Sequence, residues 1–308
     1  MVDQITTSQS CSVCGALKSN DDFGMNGVCR RCAGYGLSQP PSEAATDAQA
    51  VQLPDPDHPH WGAGAGIGVW LASVASIIVI PVLAVIAWYV FQSARHAPVP
   101  SLSAKDELLE WLKSPNLLLL QVLSTILAHA ITIAVCWAVV TRLGKRPFWE
   151  SLGWTWAGRS VWYWVVVSAC VIVALLIIDV GLVRVLPQSE ENAFSELIKS
   201  SQRVRIAIAV LATFTAPIVE ETVYRGVLFA SVRRYLGLIA TVVVITLLFA
   251  GVHVLQYWGA WVSVAGLTLL SLALTVIRAR TKSILPCVAI HTLNNAFFSV
   301  LIVLNKAS

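Results

Sequence analysis

The 308-residue sequence predicts an all-α polytopic membrane protein, with about seven to eight transmembrane helices behind a small cysteine-bearing head. Three observations carry that prediction. Charged residues are 12% of the chain and hydrophobic residues 56%, with a mean hydropathy of +0.72; soluble domains carry about 25% charge. Apolar runs of spanning length follow one another beyond about residue 65, separated by short polar breaks. Four of the seven cysteines are confined to the first 36 residues, which hold no apolar run. A chain this poor in charge cannot cover a water-facing surface, which excludes an ordinary cytosolic enzyme and a disordered protein. A net charge of +4, scattered along the chain, is too small for nucleic-acid binding by bulk charge.

The head comes first. Cys11-Ser-Val-Cys14 and Cys29-Arg-Arg-Cys32 are two CxxC pairs, each suited to one tight knuckle. Two knuckles supply four sulfur ligands in the tetrahedral arrangement that zinc takes. Residues 1–36 hold too little apolar material for a core, so a metal is the expected staple. The pattern resembles a small zinc ribbon, whose zinc is structural because all four ligands are protein. Two disulfides are the alternative, disfavoured if the head is cytoplasmic. Met1–Ser10 lacks the basic patch and apolar core of a signal peptide, which predicts a cytoplasmic N-terminus. Residues 37–64 are rich in Pro, Ala and acids and predict a flexible tether, with His58 and His60 as solvated linker histidines.

Residues 65–308 predict the helical membrane domain. A span needs about 20 apolar residues, and seven stretches qualify: 66–91, 116–141, 161–186, 204–230, 237–256, 260–277 and 284–304. A half-buried helix around 190–200 would make an eighth. With the N-terminus inside, 12 basic residues fall in inner segments and 7 in outer ones, the bias of the positive-inside rule. Asp179 and Arg184 fall near the far end of the third span, where snorkelling to the interface is the cheaper expectation. Trp154, Trp156, Trp162 and Trp164 suggest an interfacial aromatic belt. Gly64 and Gly68 form a GxxxG pair that suggests close helix packing. Cys136, Cys170 and Cys287 read as small hydrophobes. His129 reads as a membrane histidine bonded to a neighbouring carbonyl.

The fourth stretch carries Glu220 and Glu221 in adjacent positions (TAPIVEETVYRGVLF). A charge at bilayer depth costs at least about 2.5 kcal/mol, so two carboxylates in succession need a reason. Glu221 and Arg225 stand four apart, the spacing of an intrahelical ion pair. Neighbours on a helix point about 100° apart, which turns Glu220 elsewhere, without a local basic partner. Two later stretches add Phe249-x-x-x-His253 and His291-x-x-x-Asn295. Together these supply a general base, imidazoles and an amide donor inside lipid, the inventory for adding water to a carbonyl.

Glu220-Glu221-x-x-x-Arg225, Phe249-x-x-x-His253 and His291-x-x-x-Asn295, in that order, resemble the three motifs of the CAAX protease and bacteriocin-processing membrane family. Tyr224-Arg225-Gly226 stands where that family usually has Phe-Arg-Gly. The resemblance covers roughly residues 200–308 and leaves the head outside. It implies an intramembrane glutamic endopeptidase acting on a membrane-associated protein or peptide. Glu220 would then activate water, His253 would help to hold it, and His291 with Asn295 would form the oxyanion hole. Glu221 and Arg225 would support the site. No catalytic metal is expected: nothing matches HExxH, and the groups lie on three separate helices. No Ser or Cys falls within the motifs for covalent catalysis.

Two other classes fit part of the pattern. One is a non-catalytic scaffold or bacteriocin-immunity-type regulator of the same fold. The other is a transporter using Glu and His as a proton relay. Membrane lipid and a substrate protein or peptide are the expected partners, with a cytoplasmic protein recruited through the ribbon and no nucleic acid. One geometric tension stands. Straight helices would set Glu220 about 20 Å from Arg233, His291 about 14 Å from Lys282 and His253 about 24 Å from Gly237. A common site therefore needs tilting, or a fifth span that starts in the interface.

Overall fold

A computed structural model of the chain describes residues 8–11, 17–19, 23, 29, 55–189 and 191–304. The chain divides into two compact units, Met1–Leu53 and Pro54–Ser308.

In the first unit, strands β1 (Ser8–Ser10) and β2 (Leu17–Ser19) pair antiparallel, with Ser8 opposite Ser19. Cys11 follows β1 directly, and Cys29 bridges Phe23. Cys11 and Cys29 are both buried against Phe23, and the Cys29 N–H donates to Cys11 Sγ at 3.3 Å. The other two expected ligands, Cys14 and Cys32, lie outside the described residues.

The second unit is helical. Its long helices are α1 (Ala63–Ala94), α3 (Pro115–Thr141), α5 (Val161–Leu182), α10 (Trp261–Thr281) and α11 (Leu285–Leu304). Short helices α2 (Lys105–Leu112), α4 (Phe148–Ser151) and α6 (Ala193–Ser200) lie in the connections. Between Gln202 and Val254 run α7 (Gln202–Val210), a π-helical turn Leu211–Thr215, α8 (Ala216–Glu221), a second π-turn Thr222–Leu228, and α9 (Phe229–Val254), which is broken at Gly237.

Among the described residues six helical stretches are long and apolar enough to cross a membrane, and one is the 53-residue stretch Gln202–Val254. That stretch is a hairpin. Tyr224 and Phe249 have ring centroids 5.1 Å apart, whereas a straight helix would separate them by about 37 Å. The reversal is at Gly237, with φ 72° and ψ −179°, a conformation essentially reserved for glycine. The two legs coincide with the expected stretches 204–230 and 237–256, within the one 53-residue stretch. The segment expected near 190–200 is α6, started by a capping box between Asn192 and Ser195. Its eight residues rise only about 12 Å, too few to cross.

Outward faces are Leu, Ile and Val, exposed as lipid-facing helices require. The main core joins Cys136, Val140, Val223, Val227, Phe229, Ile245 and Phe249, where α1, α3 and the hairpin meet. The GxxxG expectation is corrected here. A methyl on Gly64 or Gly68 would meet nothing within 4 Å, whereas one on Gly66 would strike the Ser231 hydroxyl. The aromatic belt is mixed: Trp162 is exposed, but Trp164 is buried and donates to the Trp156 carbonyl at 3.0 Å.

The tether expectation is corrected from Asp55 onward, where the chain is packed. Asp57 is buried and pairs with Arg278 Nη1 at 2.8 Å. Trp61 is buried and donates to the Val227 carbonyl at 3.1 Å. His60 bonds the Val139 carbonyl at 3.3 Å and is half-buried, not a solvated linker residue; burial lowers its affinity for a proton. Asp55 accepts from the Asp57 N–H and from the His58 side chain, which together hold its carboxyl below the usual range. His58 itself stays exposed.

Candidate active site

A cavity of about 800 Å³ opens among α3, α5, the hairpin, α10 and α11. Glu220, His253, His291 and Asn295 all line it, so four groups scattered over 76 positions of sequence reach one space. The Gly237 hairpin resolves most of the geometric tension. Glu220 lies 17 residues before the reversal and His253 16 residues after it, at matching heights on the two legs.

The two glutamates divide as the spacing predicts. Glu221 is fully buried, accepts from Arg225 Nη1 at 3.0 Å, and accepts from His291 Nδ1 at 2.8 Å. Glu220 is about one-fifth exposed, faces the cavity, and has its Oε2 3.8 Å from His291 Nε2. His291 is thus held between the two carboxylates, with Nδ1 committed to Glu221 and Nε2 on the cavity side. On the opposite leg His253 donates Nδ1–H to the Phe249 carbonyl at 2.8 Å. That bond fixes its tautomer and leaves Nε2 as an acceptor.

Arg225 is anchored far beyond Glu221. Its Nη2 donates to the Ser271 carbonyl at 2.9 Å and hydroxyl at 2.7 Å, its Nε to Thr275 Oγ1 at 3.3 Å, and its guanidinium lies 4.7 Å from the Phe249 ring centre. A fully buried guanidinium needs this many acceptors. Ser271 and Thr275 carry no signal of their own in the sequence beyond four-residue spacing on a span.

Both π-turns expose a carbonyl that another helix reads. The Ala216 N–H bonds the Leu211 carbonyl five residues back, so the Ala212 carbonyl lacks its usual donor; Asn295 Nδ2 donates to it at 2.9 Å. In the second π-turn the Phe229 N–H bonds the Tyr224 carbonyl, and the Arg225 carbonyl instead accepts from Arg278 Nε at 3.0 Å. Such turns recur at functional sites because they rotate the helix and free backbone acceptors. Pro217, which has no N–H for Thr213, was a visible signal for the first turn. The second has none.

Several lining residues lay outside the sequence-level site. Asn294 is buried beside Asn295, and its Nδ2 approaches Asn295 Oδ1 at 3.4 Å. His129 is buried and bonds the Thr215 hydroxyl at 2.9 Å, so its partner is a side chain of the first π-turn and not the expected carbonyl. Tyr257, just past the second leg, also lines the cavity, and burial raises its hydroxyl to about 12. Asp179 corrects the snorkelling expectation. It lines the cavity, sits against Gly266 of α10, and has a buried Oδ1 without a hydrogen-bond partner among the described residues.

Residues 202–297 match the model of the family described as type II CAAX prenyl endopeptidase Rce1-like, so this segment is similar to that family. No curated protein and no solved structure matches the chain.

Proposed function

We propose that the protein is an intramembrane endopeptidase that hydrolyses a peptide bond of a membrane-associated protein or peptide with water activated by Glu220. One observation carries this: of two adjacent carboxylates, Glu221 is consumed by Arg225 and His291, while Glu220 faces the cavity with His291 beside it. Glu220 takes a proton from water as the water oxygen bonds the carbonyl carbon. His253 Nε2 accepts the second hydrogen of that water and orients it. The oxyanion that forms is met by Asn295 Nδ2, whose remaining hydrogen is not used by Ala212, and by His291. The His291 role requires Nε2–H, hence an imidazolium, for which Glu221 and Glu220 supply the counter-charge. The C–N bond then breaks as the proton held by Glu220 passes to the leaving nitrogen, restoring the carboxylate.

The head is proposed to hold a structural zinc through Cys11, Cys14, Cys29 and Cys32, which staples the fold and supplies no step of the reaction. The end of the bundle that carries Arg233, Arg278 and Lys282 is assigned to the cytoplasmic side by its charge. A membrane-associated substrate would enter the cavity from the bilayer.

Purified protein in liposomes, assayed against a peptide library, tests this reading. Glu220→Gln should lower kcat by about 10²–10⁴-fold, the usual contribution of a general base, with the fold intact. Cleavage should survive a chelator that removes zinc from the head. Cleavage unaffected by Glu220→Gln would sink the mechanism, and cleavage abolished by chelation yet retained in Cys29→Ser would move the chemistry to a second metal.

A further inference from the structure

Asp55–Trp61 lies outside the family segment and precedes the first span, yet it reaches the backbone of the active-site helix. Four contacts make the connection. Asp57 Oδ1 accepts from Arg278 Nη1 at 2.8 Å, and the Pro56 carbonyl accepts from Arg278 Nη2 at 3.0 Å. Arg278 Nε then donates to the Arg225 carbonyl at 3.0 Å. Two residues further along the same π-turn, Trp61 Nε1 donates to the Val227 carbonyl at 3.1 Å. Arg278 is fully buried and Asp57 is 5% exposed, so neither contact competes with bulk water. Arg233 and Lys282 approach Asp57 Oδ2 at 3.8 and 3.9 Å, which leaves its carboxylate surrounded by cations.

The geometry points to Asp57 as a positioning residue for the reaction proposed above: held by the strap Asp55–Trp61, it orients Arg278, which keeps the Thr222–Leu228 turn in its π-register. The physical need is specific. A π-turn releases carbonyls from the helical ladder, and a released carbonyl buried without a donor is costly. An α-register would return the Arg225 carbonyl to the Phe229 N–H. That change would rotate Glu220, Glu221 and Arg225 relative to the helix that follows. Arg278 competes for the carbonyl and holds the rarer register. Asp57 in turn fixes the guanidinium so that Nε, not another nitrogen, faces Arg225. The strap thereby sets the site from a segment that contributes no group to the cavity.

This inference rests on the protease reading, so its test has an arm that does not need cleavage. Full-length protein in liposomes would be compared as wild type, Asp57→Asn, Asp57→Ala, and Asp57→Ala combined with Arg278→Met. Four quantities would be read: kcat and KM on the library peptide, thermal midpoint, and amide hydrogen exchange over residues 222–230. The single variants should lose about 10- to 100-fold in kcat, the scale of a small misplacement of catalytic groups, with KM little changed. Exchange over 222–230 should quicken. The double variant removes both members of a buried pair and should recover much of the midpoint, while kcat and exchange stay impaired because no group serves the Arg225 carbonyl. Unchanged exchange over 222–230 in a folded Asp57→Ala protein would overturn the inference, as would a double variant that recovers rate together with midpoint. If wild type cleaves nothing, the protease reading fails, and the exchange arm alone still decides whether the strap holds the turn.

Discussion

Replacing Glu221 by glutamine keeps the volume of the side chain but removes the charge that faces Arg225 and His291. Arg225 is wholly enclosed, and a buried charge stripped of its partner destabilises by about 3–5 kcal/mol. Glu221→Gln should therefore lower the midpoint of thermal unfolding in detergent sharply, whereas Glu220→Gln should leave it nearly unchanged. Equal effects from the two variants would contradict the division between a structural and a reactive carboxylate. The Glu221–Arg225 pairing was legible in the sequence because neighbouring turns of one helical stretch carry both residues, and spacing of four fixes it. The His291 contact with Glu221 was not legible, since it depends on the register between two helices 70 residues apart. The role of Arg278 was not legible for a related reason. Its place at the end of a span reads as a loop charge, and only the folded chain shows it facing inward to Asp57 and Arg225.

The hairpin of Gln202–Val254 turns on a single residue. Nothing lies within 4 Å of where a Gly237 side chain would begin, so an alanine there meets no steric neighbour. Its cost would be purely conformational, about 1–3 kcal/mol for the glycine-only region of φ and ψ. Gly237→Ala should lower the unfolding midpoint by a corresponding few degrees; an unchanged midpoint would mean that the reversal is not held at this glycine. Hydropathy located both legs and the polar break between them, because the bilayer enforces length and apolarity residue by residue. It could not show that the break is a reversal which aligns Glu220 with His253. Small-residue patterns misled in the same way. Gly64 and Gly68 satisfy a motif, but Gly66 faces Ser231, since a motif names residues and not the side of the helix that meets a neighbour.

At the scale of the whole molecule, the six apolar stretches of spanning length among the described residues follow from composition, and the two compact units follow from the change in composition around residue 54. The packed strap was hidden by its own residues: Asp-Pro-Asp-His-Pro-His reads as a solvated tether, and its burial depends on Arg278 more than two hundred residues later. The guanidinium of Arg225 is likewise completed late, by Ser271 and Thr275 on α10, and Glu221 by His291 on α11. This has a consequence for biogenesis. During synthesis the first leg of the hairpin leaves the ribosome with two carboxylates and a guanidinium, before most of the groups that satisfy them have been translated. A nascent chain ending at Leu255 should therefore leave that leg outside the bilayer, accessible to a water-soluble thiol reagent at a cysteine placed at Val219, while a chain extended through Leu304 should protect it. Insertion would then run out of sequence order, with the leg that bears the glutamates among the last to enter the lipid, and the carboxylates would reach the membrane interior only when their partners arrive with them.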